Sequence, residues 1–167
     1  KSVIEQLGPK ILDTAAVISG VLGSGGKILI AGNGGSAADA SHFAAEMIVR
    51  LTAEHSRQSL PAVALSVDPS VITAAANDFG FEHVFSRQVE GLGAKGDMLI
   101  VISTSGNSAN LVKAVQAAHE RGMICLGLLG GNGGKLAPMV DRALVVPHPS
   151  TQRIQEEHSF IIHMLVE

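Results

Sequence analysis

Residues 27–37 read KILIAGNGGSA, an uninterrupted apolar run that passes straight into a glycine-rich turn. A short apolar run of this kind, Lys27 to Ala31, is the signature of a strand buried on both faces of a parallel sheet. The turn Gly32-Asn33-Gly34-Gly35-Ser36-Ala37 and a helix from Ser36 to about Arg50 complete a strand–turn–helix unit. The unit recurs. Ala62 to Ser66 is read as a second strand, followed by helices over Pro69 to Asn77 and Phe81 to Leu92. Asp97 to Ile102 is a third strand, followed by the turn Ser103-Thr104-Ser105-Gly106-Asn107-Ser108 and a helix to Arg121. Met123 to Leu129 is a fourth strand, with a turn over Gly130 to Gly134 and a short helix over Lys135 to Val140. Arg142 to Pro147 is a fifth, and a final helix starts near Thr151. Before the first strand, residues 2–23 carry apolar positions at helical spacing, and Pro9 is expected to mark a break or a new helix start. Strand–helix alternation with short links demands right-handed crossovers. The expected fold is therefore α/β, a three-layer sandwich with a five-stranded parallel sheet, flavodoxin-like, forming one domain over residues 1–167 with an abbreviated N-terminal helical segment.

Composition narrows the function. The chain has 167 residues, 46% of them apolar and 16% charged, and a net charge of −3 with its basic residues scattered. That excludes general binding to a nucleic-acid backbone, which needs clustered lysine and arginine. No apolar run approaches the ~18 residues of a membrane helix, and no membrane partner is expected. The single cysteine, Cys125, lies in an apolar run, so no disulfide framework or all-cysteine metal site is available. A cytoplasmic location is expected.

In a parallel sheet of this type ligands bind at the carboxyl ends of the strands, where strand order reverses. The first turn matches G-x-G-x-x-A, a weak dinucleotide pattern by itself. Its structural role is a tight turn in which Ser36 is expected to cap the helix and Asp39 to complete a capping box. The second turn sets four hydroxyls around one glycine at a helix start. Backbone N–H groups and the positive helix end favour a phosphate there. The missing G-K-[ST] lysine argues against a nucleoside triphosphate, and a small phosphorylated metabolite fits better.

Two helices carry polar stripes. On helix 36–50, Asp39, His42, Glu46 and Arg50 share a narrow line while alanines and other apolar residues fill the rest, so this helix is expected to be buried nearly all round. His42 and Glu46, four apart, can grip one metal ion or act as an acid/base pair. A surface Glu46–Arg50 ion pair is the competing reading that spacing alone favours. On the last helix Glu156, Ser159 and His163 fall near one line, with Gln155 and His158 as further candidates. His55, His83 and His119 are expected to be solvated.

The runs AGNGGSAADASHFAAE (31–46), AANDFGFEHVFSRQVEGLGAKGD (75–97), STSGNSANLVKA (103–114) and RIQEEHSFIIH (153–163) together resemble the sugar isomerase (SIS) fold. Within it they resemble the bacterial phosphoheptose isomerases, which interconvert sedoheptulose 7-phosphate and D-glycero-D-manno-heptose 7-phosphate. The resemblance implies phosphate binding by Ser103, Thr104, Ser105 and Ser108. It implies sugar contacts from Asn33, Gly34, Gly35, Glu46, Asn77, Asp78 and Gln155, and one Zn²⁺ held by His42, Glu46, Gln155 and His163. It also implies a homotetramer with active sites between subunits.

Aldose–ketose isomerisation moves a proton between adjacent carbons through an enediol(ate), so it needs a carboxylate base, a partner for the oxygen protons and help for the developing oxyanion. Glu46 is assigned as base and His163 as its acid/base partner. Gln155 and His163 are eight residues apart, about 12 Å along a continuous helix. Either that helix is interrupted, one of the two is not a ligand, or the site draws on two chains. A site shared between chains is expected. The alternatives are a non-catalytic SIS protein, such as the regulator that binds the replication initiator DnaA, and a sugar-phosphate-sensing domain. That regulator lacks residues matching Glu46 and His163. An oxidoreductase is disfavoured because no acidic residue ~20 positions beyond the glycines stands at a strand end, as ribose recognition requires.

Overall fold

The computed structural model describes residues 3–54 and 56–167, the first three by backbone alone. Helix α1 spans Val3–Gly23, β1 Ile28–Gly32 and α2 Gly35–Ile48. Strand β2 is Ala62–Ala64, α3 is Pro69–Phe79, and a 3-10 turn over Phe81–His83 precedes α4, Ser86–Leu92. Then follow β3 Met98–Ser103, α5 Ala109–Glu120, β4 Ile124–Gly130, β5 Arg142–Val146 and α6 Thr151–Val166. All neighbouring strands are parallel, in the order β2-β1-β3-β4-β5. The expected three-layer α/β sandwich is what forms, and its order reverses between β1 and β3.

Side-chain alternation in the strands builds the layers. Ile28 and Ile30 of β1, Met98, Ile100 and Ile102 of β3, and Leu126 and Leu128 of β4 face α1, α2 and α6. Leu29 and Ala31, Leu99 and Val101, and Cys125 and Leu129 face α3, α4 and α5. Every residue of β1 and β3 is buried, which is why both read as unbroken apolar runs; each fully buried aliphatic side chain contributes roughly 1.5–3 kcal/mol. At the opposite end of the sheet from the ligand turns, the Asp97 carboxylate accepts from the Lys27 and Ala94 backbone N–H groups (2.9 and 2.8 Å) and from Lys27 Nζ (2.5 Å).

Four local expectations need correction. Helix α1 runs through Pro9 without a break. Residues 81–92 are a 3-10 turn and a short helix, not one helix. Residues 135–140 form turns; Pro138 has no N–H to donate, so consecutive helical bonds cannot build up. The chain's α2 is not buried all round. Ser36, Ala40, Phe43, Ala44 and Met47 face the core, while Ile48 is 43% exposed and Val49, its C-cap, 67%.

Candidate active site

The first ligand turn joins β1 to α2. Gly34, not Ser36, is the N-cap of α2, and no side chain caps it. Ser36 is buried inside the first turn, so the capping box does not form. Asp39 instead turns toward α6. Asn33 and Asn110 exchange two side-chain hydrogen bonds, Asn33 Nδ2 to Asn110 Oδ1 at 3.0 Å and Asn110 Nδ2 to Asn33 Oδ1 at 2.8 Å. Asn110 lies in the first turn of α5, so this exchange ties the two ligand turns together across the reversal of strand order. Sequence reading missed Asn110, because its partner is 77 positions away.

The second turn joins β3 to α5. Ser103 Oγ accepts from Gly106 N (3.0 Å) and Ser105 Oγ from Asn107 N (3.2 Å). Both hydroxyls serve as acceptors, so their hydrogens stay available to an anion. Ser108 is the N-cap of α5 and makes no side-chain capping bond, which leaves its hydroxyl open to a ligand. Gly106, at φ +66°, packs so closely on Gly133 that a Cβ would strike its carbonyl. The loop after β4 thereby braces the turn, helped by Lys135 N donating to Asn107 Oδ1 (3.1 Å).

The decisive geometry lies where α2 and α6 run side by side. Their polar stripes meet rung by rung. The Gln155 amide packs directly over Gly35, where a Cβ would displace it. One turn on, Ser159 Oγ donates to Asp39 Oδ1 (3.1 Å). One further turn on, His163 Nε2 lies 3.0 Å from His42 Nε2, and the two rings are 5.1 Å apart, centroid to centroid. His42 Nε2 is in turn 3.4 Å from Glu46 Oε1. One donor atom each from His42, Glu46 and His163 lies within 4.8 Å of the other two.

These three residues therefore converge within one chain. The expected sharing of the site between chains is not needed to join Glu46 to His163: the parallel packing of α2 on α6 brings together residues 117 positions apart (163 less 46) in one chain. Helix α6 is unbroken, and Gln155 lies two turns before His163, with its amide against Gly35. Arg50 lies past the end of α2, and Glu46 Oε1 faces His42 rather than an arginine. Glu156 pairs with Arg153 (2.5 Å) on the exposed side and does not join the stripe.

Burial gives the site its electrostatics. Asp39 has its carboxyl raised above the usual range, chiefly by burial, while Ser159's hydrogen bond and His42 pull it down. Its Oδ2 and Oε2 of Glu46 are buried without a hydrogen-bond partner. Arg57 holds the end of α2 in place by donating to the carbonyls of Glu46 (2.6 Å) and Met47 (2.7 Å), a favourable place for a cation. No spacing in the sequence marks it. His158 belongs to the core stripe of α6 and is wholly buried. Burial holds its ring below the usual imidazole range, and the Leu129 carbonyl opposes this from outside hydrogen-bond geometry. Asn77 donates to Asp78 (2.8 Å) on the exposed last turn of α3, in the layer opposite Glu46. His83 and His119 are partly exposed, beside Glu82 and Asp141. His55 lies outside the described residues.

The donor set fits zinc. Tetrahedral Zn²⁺ with ligands at ~2.0–2.1 Å sets neighbouring donor atoms about 3.3 Å apart. The His42–His163 and His42–Glu46 separations, 3.0 and 3.4 Å, bracket that value.

Residues 1–130 match the SIS domain family. The chain belongs to the SIS domain family. Among similar proteins, the phosphoheptose isomerase of Neisseria gonorrhoeae (strain NCCP11945) is 58% identical over 145 residues, 85% of this chain and 73% of that protein. That of Geotalea daltonii is 47% identical over 167 residues, 100% of this chain and 86% of that protein. The solved structure of phosphoheptose isomerase GmhA from Neisseria gonorrhoeae superposes on this SIS domain with a TM-score of 0.91 at 50% identity, covering 98% of this chain and 86% of the other. The five-stranded parallel α/β sandwich is thus that of a SIS domain with isomerase relatives. Among the described residues no helix is long and apolar enough to cross a membrane.

Proposed function

We propose that this SIS domain is a phosphoheptose isomerase that interconverts sedoheptulose 7-phosphate and D-glycero-D-manno-heptose 7-phosphate through an enediol(ate). The observation that carries the proposal is the convergence of His42, Glu46 and His163 in one chain, in a protein 58% identical to a phosphoheptose isomerase. The non-catalytic reading, a DnaA-binding or sugar-phosphate-sensing protein, is not favoured.

Substrate phosphate is assigned to the second turn, where Ser103, Thr104, Ser105 and Ser108 offer hydroxyl hydrogens and α5 its positive end. Asn33, Gly34 and Gly35 line the first turn and are assigned to the sugar. Glu46 takes the carbon-bound proton and returns it to the neighbouring carbon. Its Oε2 makes no hydrogen bond that proton transfer would have to break. His163 is assigned to exchange protons with the sugar oxygens. A positioned acid or base of this kind typically contributes 10²–10⁴-fold in rate. His42, Glu46 and His163 would hold Zn²⁺, which supplies Lewis-acid stabilisation of oxyanion charge. Gln155 is assigned to the sugar; to act as a fourth ligand its amide would have to leave Gly35.

Asn77 and Asp78 sit in the layer opposite Glu46, so we assign their sugar contact to a neighbouring protomer of a homotetramer. The exposed Ile48 and Val49 at the end of α2 support a subunit contact next to the site. The lone cysteine fits a reducing compartment, taken as the cytoplasm.

Incubating the protein with sedoheptulose 7-phosphate and following the aldose by NMR tests the proposal. Conversion is expected, and its failure with Zn²⁺ supplied would overturn the reading.

A further inference from the structure

A second cluster of metal-ligand side chains lies at the amino-terminal ends of β4 and β5, away from the ligand turns. Cys125 is the second residue of β4 and its side chain belongs to the core on the α5 side. His119 stands in the last turn of α5. Asp141 immediately precedes β5. Its Oδ2 accepts from Cys125 N at 2.7 Å, which fixes the carboxylate, and lies 3.5 Å from His119 Nε2. One donor atom from each of the three residues lies within 4.8 Å of the other two.

Thiol, imidazole and carboxylate brought together from three separate elements form a borderline-soft donor set. Ions such as Zn²⁺ prefer this set over hard cations, which take oxygen alone. Access is right as well. Cys125 is wholly buried, whereas the side chains of His119 and Asp141 are 42% and 48% exposed, so an ion resting between them meets the core on one side and solvent on the other. An ordinary surface His–Asp pair would not have the chain's single thiol beneath it.

We propose that His119, Cys125 and Asp141 form a second divalent-cation site, selective for zinc-like ions, with three protein ligands and a remaining position for water. Burial, and secondarily Asp141, pushes the free thiol up to about 12. The thiol therefore enters as S–H, and its proton passes to solvent as the sulfur–metal bond forms. Bound metal would pin the end of α5 to the start of β4 and to the turn entering β5. The site uses none of the isomerase residues, so it stands or falls independently of the proposed reaction.

Titrating the chelator-stripped full chain with Co²⁺ and reading near-ultraviolet absorbance provides the test. Cys125 is the only cysteine, and His42, Glu46 and His163 carry no sulfur, so a thiolate-to-cobalt charge-transfer band reports this site alone. The expected band saturates stoichiometrically, is bleached by Zn²⁺ and is absent from Cys125→Ser. In His119→Gln and Asp141→Asn its midpoint shifts at least ~10-fold to higher cobalt. His119→Gln is a surface change that leaves isomerase activity intact, so it carries the test if Cys125→Ser fails to fold. No band at any cobalt concentration, or a midpoint unmoved by His119→Gln, would overturn the proposal.

Discussion

Ser159 donates a 3.1 Å hydrogen bond to Asp39, and this bond fixes the register of α6 against α2 one turn before both helices deliver their histidines. Asp39 precedes His42 by three residues and Ser159 precedes His163 by four. Removing the hydroxyl leaves a half-buried carboxylate, its Oδ2 shielded from solvent, with neither oxygen partnered. Ser159→Ala should cost roughly 1–3 kcal/mol at neutral pH, read as a drop of about 2–4 °C in Tm per kcal/mol for a chain of this size.

Asp39→Asn should act in the opposite direction. Burial raises the Asp39 carboxyl, so the folded chain holds its proton more tightly than the unfolded chain does. The resulting penalty is absent below the ordinary carboxyl pKa and grows as pH rises through the folded value. Asparagine keeps an acceptor for Ser159 and carries no charge. Thermal melts should therefore show a higher Tm for the variant at pH 7, with the gain vanishing near pH 3.

His158 titrates with the other sign. Its ring is held neutral by burial, with the folded pKa lowered. As pH falls through the ordinary imidazole value, near 6.5, the unfolded chain takes up a proton that the folded chain refuses, and stability declines until the folded pKa is reached. His158→Leu should flatten the fall in Tm below about pH 6.5. An unchanged acid slope would show that some other group causes it.

Glu46→Gln and His163→Gln should each lower kcat by about 10²–10⁴ with little change in KM, because they act on protons in transit. Thr104→Val should do the reverse, raising KM with kcat nearly intact, since phosphate anchoring serves ground and transition states alike. Steady-state kinetics on sedoheptulose 7-phosphate separates the two classes.

Stripping the protein with a chelator should reduce activity, and Zn²⁺ should restore it. In His42→Ala, which lacks the ligand adjacent to both other donors, restoration should need at least ~10-fold more zinc. Activity measured against free zinc checks this.

The sheet was legible because parallel strands buried on both faces leave unbroken apolar runs such as 28–32 and 98–103, each followed by its turn. His42 and Glu46 were legible because helical periodicity alone aligns residues four apart. Their meeting with His163 was not, since that depends on α2 packing beside α6, a tertiary fact that neither helix carries by itself. Asn110 and Arg57 were missed for the same reason, their partners being set by the fold. The helix expected over 135–140 failed on one local feature, the missing N–H of Pro138, and α2 proved apolar over more surface than a single chain covers.

Mixing inactive Glu46→Gln and His163→Gln proteins after verified subunit exchange asks most directly whether one chain supplies both groups. With Glu46 and His163 meeting inside a single protomer, every exchanged site still carries one defect, and activity should stay at the level of the separate variants. A substantial return of sedoheptulose 7-phosphate turnover would contradict this, because only a site assembled from two chains could pair an intact glutamate with an intact histidine.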